Sequence, residues 1–161
     1  MCERTEQFII AARRYCEWAE SNYRPDLKSS RQALELLTEL YLCGVRLSSE
    51  DQNVEDTDAR FAKIREKFRG GCRGSLPINY YSEIFNPIPV PAEEPVTGSL
   101  RDDIVSIYEN MSDGLSLLDA GYRRHAVRTW IVNIFHWGEH ATSAIRVLHS
   151  YLSKKDGFYR R

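Results

Sequence analysis

The sequence predicts an all-α bundle of about five helices, with a long C-terminal helix and one proline-rich belt. Three observations predict it. Apolar residues recur at three- and four-residue spacing through successive stretches that open on capping residues and close on glycine or proline. Five of the six prolines are gathered between residues 72 and 99. The chain is 161 residues long and 42% hydrophobic, which suits one core and therefore a single domain over residues 1–161.

The first stripe runs through Phe8, Ile9, Ala12, Tyr15, Cys16, Ala19 and Tyr23, and Asn22 with Pro25 ends it. A second helix begins after Ser29-Ser30, either of which can cap it, and continues through Leu36, Leu37, Leu40, Tyr41 and Leu47. Residues 48–58 then hold five acids and no base, whereas Arg60 to Arg73 is basic. Phe61, Ile64 and Phe68 keep helical spacing inside the basic block. They predict a short third helix capped by Thr57 or Asp58 and stopped at Gly70-Gly71. Acid before a helix and base towards its end is the order its dipole favours, so local structure accounts for much of this charge segregation.

The belt, about residues 72–99, contains Pro77, Pro87, Pro89, Pro91 and Pro95. Proline at this density opposes helix and central strand, so extended chain is expected, with one helical turn around Asn79 to Phe85. Ile78, Tyr80, Tyr81, Ile84, Phe85, Ile88 and Val90 make it too apolar for a free linker. A fourth helix follows Ser99, its cap, with Asp102-Asp103 in the first turn opposing the dipole and Gly121 at its end. The last helix, about Arg123 to Ser153, is expected to be a continuous spine of about 45 Å at 1.5 Å per residue.

The 22 basic and 23 acidic side chains leave a formal charge of −1. That balance argues against a protein that coats nucleic acid. A mean hydropathy of −0.48 and the lack of a long apolar run argue against a membrane protein. The polar start at Met1 to Glu6 argues against a secretory leader, and a cytoplasmic location is expected. Cys2, Cys16, Cys43 and Cys72 form no close pair, so packed, reduced thiols are expected rather than a zinc ribbon or a redox motif.

His136-Trp137-Gly138-Glu139-His140 matches H-x-x-E-H, the ordering of inverted zinc peptidases. Histidines at i and i+4 share a helix face, and the glutamate between them can serve as base. Such a site needs a further ligand, and only His149 and Asp156 follow as substitutes. No nucleophile elbow or phosphate-binding loop occurs, since Gly70-Gly71-Cys72-Arg73-Gly74 lacks the P-loop lysine. Arg123, Arg124, His125 and Arg128 form a basic patch at the unfavourable end of a helix dipole, which hints at binding.

Gly98-Ser99-Leu100-Arg101-Asp102-Asp103-Ile104-Val105-Ser106-Ile107-Tyr108, Gly114 to Leu117, Ala120-Gly121, Ala126-Val127, Trp130 and His136 to Ala141 resemble the pattern of a bacterial family of small helical proteins designated only as a domain of unknown function. Phe8 and the segment Leu36 to Tyr41 are similar to its N-terminal helices. The resemblance implies an all-helical cytosolic domain, supplies no catalytic residues, and includes the histidine pair in the shared pattern.

The expected function is non-enzymatic protein binding, in particular a bacterial immunity protein that occludes the active or docking surface of a toxin domain, with no cofactor and no nucleic-acid or membrane partner. Its candidate contacts are Glu50, Asp51, Glu55, Asp56, Asp58, Tyr80, Tyr81 and Phe85. Segregated charge permits a patch-to-patch contact, and stiff aromatics make good anchors. The alternative is a metal-dependent hydrolase using His136, Glu139 and His140.

Overall fold

The first stripe builds helix α1 over Glu3–Glu20 in the computed structural model, which describes residues 3–47, 61, 64 and 71–155. Phe8, Ala12, Tyr15 and Ala19 are fully buried, and the Tyr15 hydroxyl meets its need for a partner by donating to the Ile104 carbonyl at 2.9 Å. Helix α2 spans Leu27–Gly44 and starts earlier than expected. Its cap is Asp26, whose carboxylate accepts from the Ser29 amide at 2.7 Å, while Ser29 and Ser30 are buried inside the first turn. A carboxylate both satisfies that amide and opposes the dipole, which a serine hydroxyl does not.

Phe61 and Ile64 are helical, and Phe61 is buried in the core with its ring centroid 4.4 Å from His125 and 5.1 Å from Tyr122. The expected caps Thr57 and Asp58, the Gly70 stop, and the acidic candidates Glu50, Asp51, Glu55 and Asp56 lie outside the described residues.

The helical turn expected near Asn79 to Phe85 is instead strand. Strand β1 (Tyr80–Glu83) pairs antiparallel with β2 (Val96–Ser99), setting Tyr81 opposite Gly98 and Glu83 opposite Val96. Proline did exclude strand wherever it falls, because none of the five belt prolines lies in either strand. The two proline-free windows are what pair. Gly98 is required here: a β-carbon on it would come within 2.5 Å of the Tyr81 ring.

Helix α3 (Leu100–Asp119) follows β2 directly. The Ser99 hydroxyl accepts from the Asp102 amide at 3.3 Å, as expected of a cap, and Asn79 Oδ1 accepts from the Arg101 amide at 2.9 Å. At the other end Gly121, at φ 88°, completes a Schellman turn in which the Tyr122 amide donates to Leu117 and the Gly121 amide to Leu118. Ser99→Ala is expected to cost about 1 kcal/mol, since it strips one capping bond and leaves that of Asn79. A lower urea midpoint at unchanged m-value checks it.

The expected C-terminal spine is broken. Helix α4 runs Arg123–Val132 and helix α5 runs Ile134–Lys155, with Asn133 between them. The Asn133 side chain donates to the Thr129 carbonyl at 2.9 Å, the local competition by which asparagine interrupts helices. The Trp137 indole donates to the Trp130 carbonyl at 3.0 Å, so a side chain serves a backbone acceptor near the break. After the break the two helices follow different neighbours. Helix α4 packs on α3, while α5 lies against α2 and α3, and α1 packs on α2 and α3.

Phe8, Trp130 and Trp137 meet at the centre, with Phe8 5.0 and 6.0 Å from the two indoles. Gly114 and Gly44 make room for them, because a β-carbon would lie 2.2 Å from Trp130 and 2.3 Å from Trp137.

Candidate functional site

Strand alternation separates the tyrosine pair of the belt. Tyr80 points out and is exposed, whereas Tyr81 turns inward, and its hydroxyl donates to Asp103 Oδ2 at 2.6 Å. The other oxygen of Asp103 lies 2.8 Å from His140 Nδ1. Asp103 is only 5% exposed, so a buried carboxylate ties β1, α3 and α5 together. Two residues on, Glu83 makes a second tie. Its Oε1 accepts from Arg146 and from the Ile84 amide, each at 2.9 Å. The Tyr81 hydroxyl spends its single proton on Asp103, and Oε2 of Glu83 is buried without a hydrogen-bond partner. Two buried carboxylates thus face one half-exposed guanidinium and one imidazole.

These neighbours set the acidities. Burial, then the hydrogen bond and charge of Asp103, hold the Tyr81 phenol protonated far above its usual range. The hydrogen bond to Asp103 raises the His140 pKa above its ordinary value and outweighs the opposing effect of burial. Burial raises the thiol of Cys16 strongly and that of Cys72 to about 11, so neither is an activated nucleophile. Cys16, Cys43 and Cys72 are free thiols.

Outside this network the belt is open. Phe85, Ile88 and Val90 are 71%, 85% and 97% exposed. A groove of about 330 Å³ runs between the start of the belt and α5, lined among others by Glu83, Phe85, Pro87, Glu139 and Arg146. Of the sequence candidates, Tyr80 and Phe85 are surface residues and Tyr81 is an anchor beneath them. In the basic patch, Arg123 is paired with Glu6 at 2.6 Å and the His125 ring packs at a tilt against Phe61, so the patch is partly spoken for.

His136 and His140 do share a helix face, with ring centroids 4.9 Å apart. Glu139 faces the groove beside them. Among the described residues, no group of three His, Cys, Asp or Glu side chains is placed to hold one metal ion. The hydrolase constellation of two histidines, a base and a third ligand is therefore not assembled there.

Asp103, Glu83 and Arg146 carry the site, and sequence reasoning did not single them out for it. In the sequence Asp103 stands beside Asp102 in the first turn, where the helix dipole alone accounts for it. The signal that marks it is its position on the buried stripe of α3 with Leu100, Ile104 and Ile107, where a charge needs a partner.

Fold and site together define a helical bundle whose two-stranded hairpin is pinned to it by buried carboxylates. The chain belongs to the family of the domain of unknown function DUF5063, whose model matches residues 2–154. In fold it is similar to the crystal structure of protein BF1032 from Bacteroides fragilis, at 16% identity and a TM-score of 0.60 over 92% of each chain. No curated protein matches it. No helix among the described residues is long and apolar enough to cross a membrane.

Proposed function

We propose that this chain is a non-enzymatic protein-binding module that takes its partner on the belt. The observation that carries the reading is the run of exposed apolar side chains, Phe85, Ile88 and Val90, on a segment whose base is anchored by Tyr81, Glu83 and Asp103. Large apolar groups held in water without cover mark interaction surfaces, and anchoring the base of the segment lowers the ordering cost of binding. The raised thiols support binding over nucleophilic chemistry. In its most specific form the partner is a toxin domain, and the chain is a bacterial immunity protein that covers the toxin's active or docking surface in the cytoplasm.

Purification together with the product of the neighbouring gene is expected to yield a stoichiometric complex. The combined variant Phe85→Ser, Ile88→Ser and Val90→Ser is expected to lose that complex while its stability stays within about 0.5 kcal/mol per exposed position. Lack of a complex with the native chain, or equal binding by the triple variant, would sink the reading.

A further inference from the structure

The geometry points to a labile metal site at the start of α5, formed by His136 and His140 and suited to a borderline divalent cation of the zinc or nickel class. Three observations carry it. First, the residues are one helical turn apart on one face, and their ring centroids are 4.9 Å apart. Two imidazole nitrogens about 2.0–2.1 Å from a common ion, at coordination angles of about 90–110°, place the centroids roughly 4.5–5.2 Å apart. The observed spacing falls inside that window.

Second, the outer partner that orients a metal-binding histidine is already present. His140 Nδ1 lies 2.8 Å from the buried Asp103, so its neutral ring donates there and keeps the Nε2 lone pair for an ion. The carboxylate in turn is held by Tyr81 at 2.6 Å. This carboxylate–histidine arrangement fixes tautomer and ring orientation in metal sites generally. His136 Nδ1 likewise turns towards α3, where Asn110 Nδ2 stands 3.4 Å away. The amide carries two hydrogens, one of which goes to the Ser106 carbonyl at 2.9 Å, so the contact with Nδ1 favours a ring proton on Nε2 in the metal-free chain. At 3.4 Å that contact is weak, and an ion taken by His136 Nε2 displaces this proton, with Nδ1 protonated instead at the cost of the Asn110 contact.

Third, His136 is exposed and His140 keeps 29% of its side chain exposed, so an ion can reach them. With two protein ligands, water or an external side chain fills the remaining positions, which makes the site exchangeable. Imidazole donors select zinc, copper and nickel over magnesium or calcium. The site does not depend on a belt partner. It also lacks the hydrolase's third ligand.

The test is calorimetric titration of the chelator-treated full chain with zinc chloride and with nickel chloride at about pH 8, where proton competition for the imidazoles is weaker than at neutral pH. One equivalent of each is expected to bind, and magnesium is expected not to. His136→Ala, at an exposed position that leaves the fold intact, is expected to weaken binding at least tenfold, as is His140→Ala. His149→Ala, further along the same helix, is expected to leave it unchanged. Absence of one-to-one binding, full affinity in His136→Ala, or an equal loss in His149→Ala would each overturn the site. Because no partner protein takes part, none of these outcomes bears on the belt.

Discussion

Replacing Trp137 with alanine is expected to lower stability by about 3–5 kcal/mol, the largest loss from any single substitution considered for this protein. The indole is fully buried, fills the space left by Gly44, and packs against Phe8 and Tyr41 at centroid distances of 6.0 and 6.5 Å. Its N–H serves the Trp130 carbonyl beside the α4–α5 break. Truncation therefore combines a large cavity with a backbone acceptor deprived of its donor, and close-packed neighbours relax only partly into such a space. For a chain of this size the melting temperature should fall by roughly 10 °C. Trp137→Phe separates the two contributions. It keeps most of the apolar contact and loses the hydrogen bond, so a loss of about 1–2 kcal/mol is expected. Urea unfolding of the three proteins side by side checks both. An alanine variant that melts with the native chain would mean that the centre of the bundle is not packed around this residue.

Asp103→Ala is expected to cost about 2–3 kcal/mol and to act on one place, the junction of the hairpin with the bundle. It leaves the Tyr81 hydroxyl and the His140 imidazole without their shared acceptor. Both groups are partly exposed and can recover water, which keeps the loss below that of a fully buried ion pair. Native-state hydrogen exchange should show the amides of 80–83 and 96–99 opening faster, with those of α1 and α2 little changed.

The same contact carries a pH dependence. His140 has its folded-state pKa raised above 6.5, so the folded protein holds that proton more tightly than the unfolded chain does. The resulting stabilisation is fully present below the unfolded value of about 6.5 and is lost as pH rises through the folded value. In metal-free protein the stability gap between the native chain and Asp103→Ala should thus be wider at about pH 6 than at about pH 9. A gap independent of pH would show that the imidazole and carboxylate are not coupled.

The helices were legible in the sequence because their causes are local. Spacing of apolar residues placed α1, α2 and α3. Ser99 announced the start of α3, and Gly121 its end, since only a residue tolerant of positive φ closes such a turn without strain. The belt was legible as a break in helical periodicity, and its internal pairing was not. Tyr80 to Glu83 reads as part of an apolar, proline-flanked stretch until Val96 to Ser99 is brought beside it. Asn133, inside an unbroken apolar pattern, gave no local sign that α4 and α5 would seek different neighbours.

What the sequence by itself determined is the all-helical class, the single core, the membership implied by its family pattern, and the position of the proline-rich belt. Each depends on residues within a few turns of one another or on composition. What only the tertiary structure decided is which polar groups meet. Tyr81 and Asp103 are 22 positions apart, and Asp103 and His140 are 37 apart. Such a network forms when three elements pack, and in a buried place a charge left without its partner costs more than the packing returns. Helical period can place Asp103 on an inward face. Only the packed chain supplies the tyrosine and the histidine that allow it to stay there.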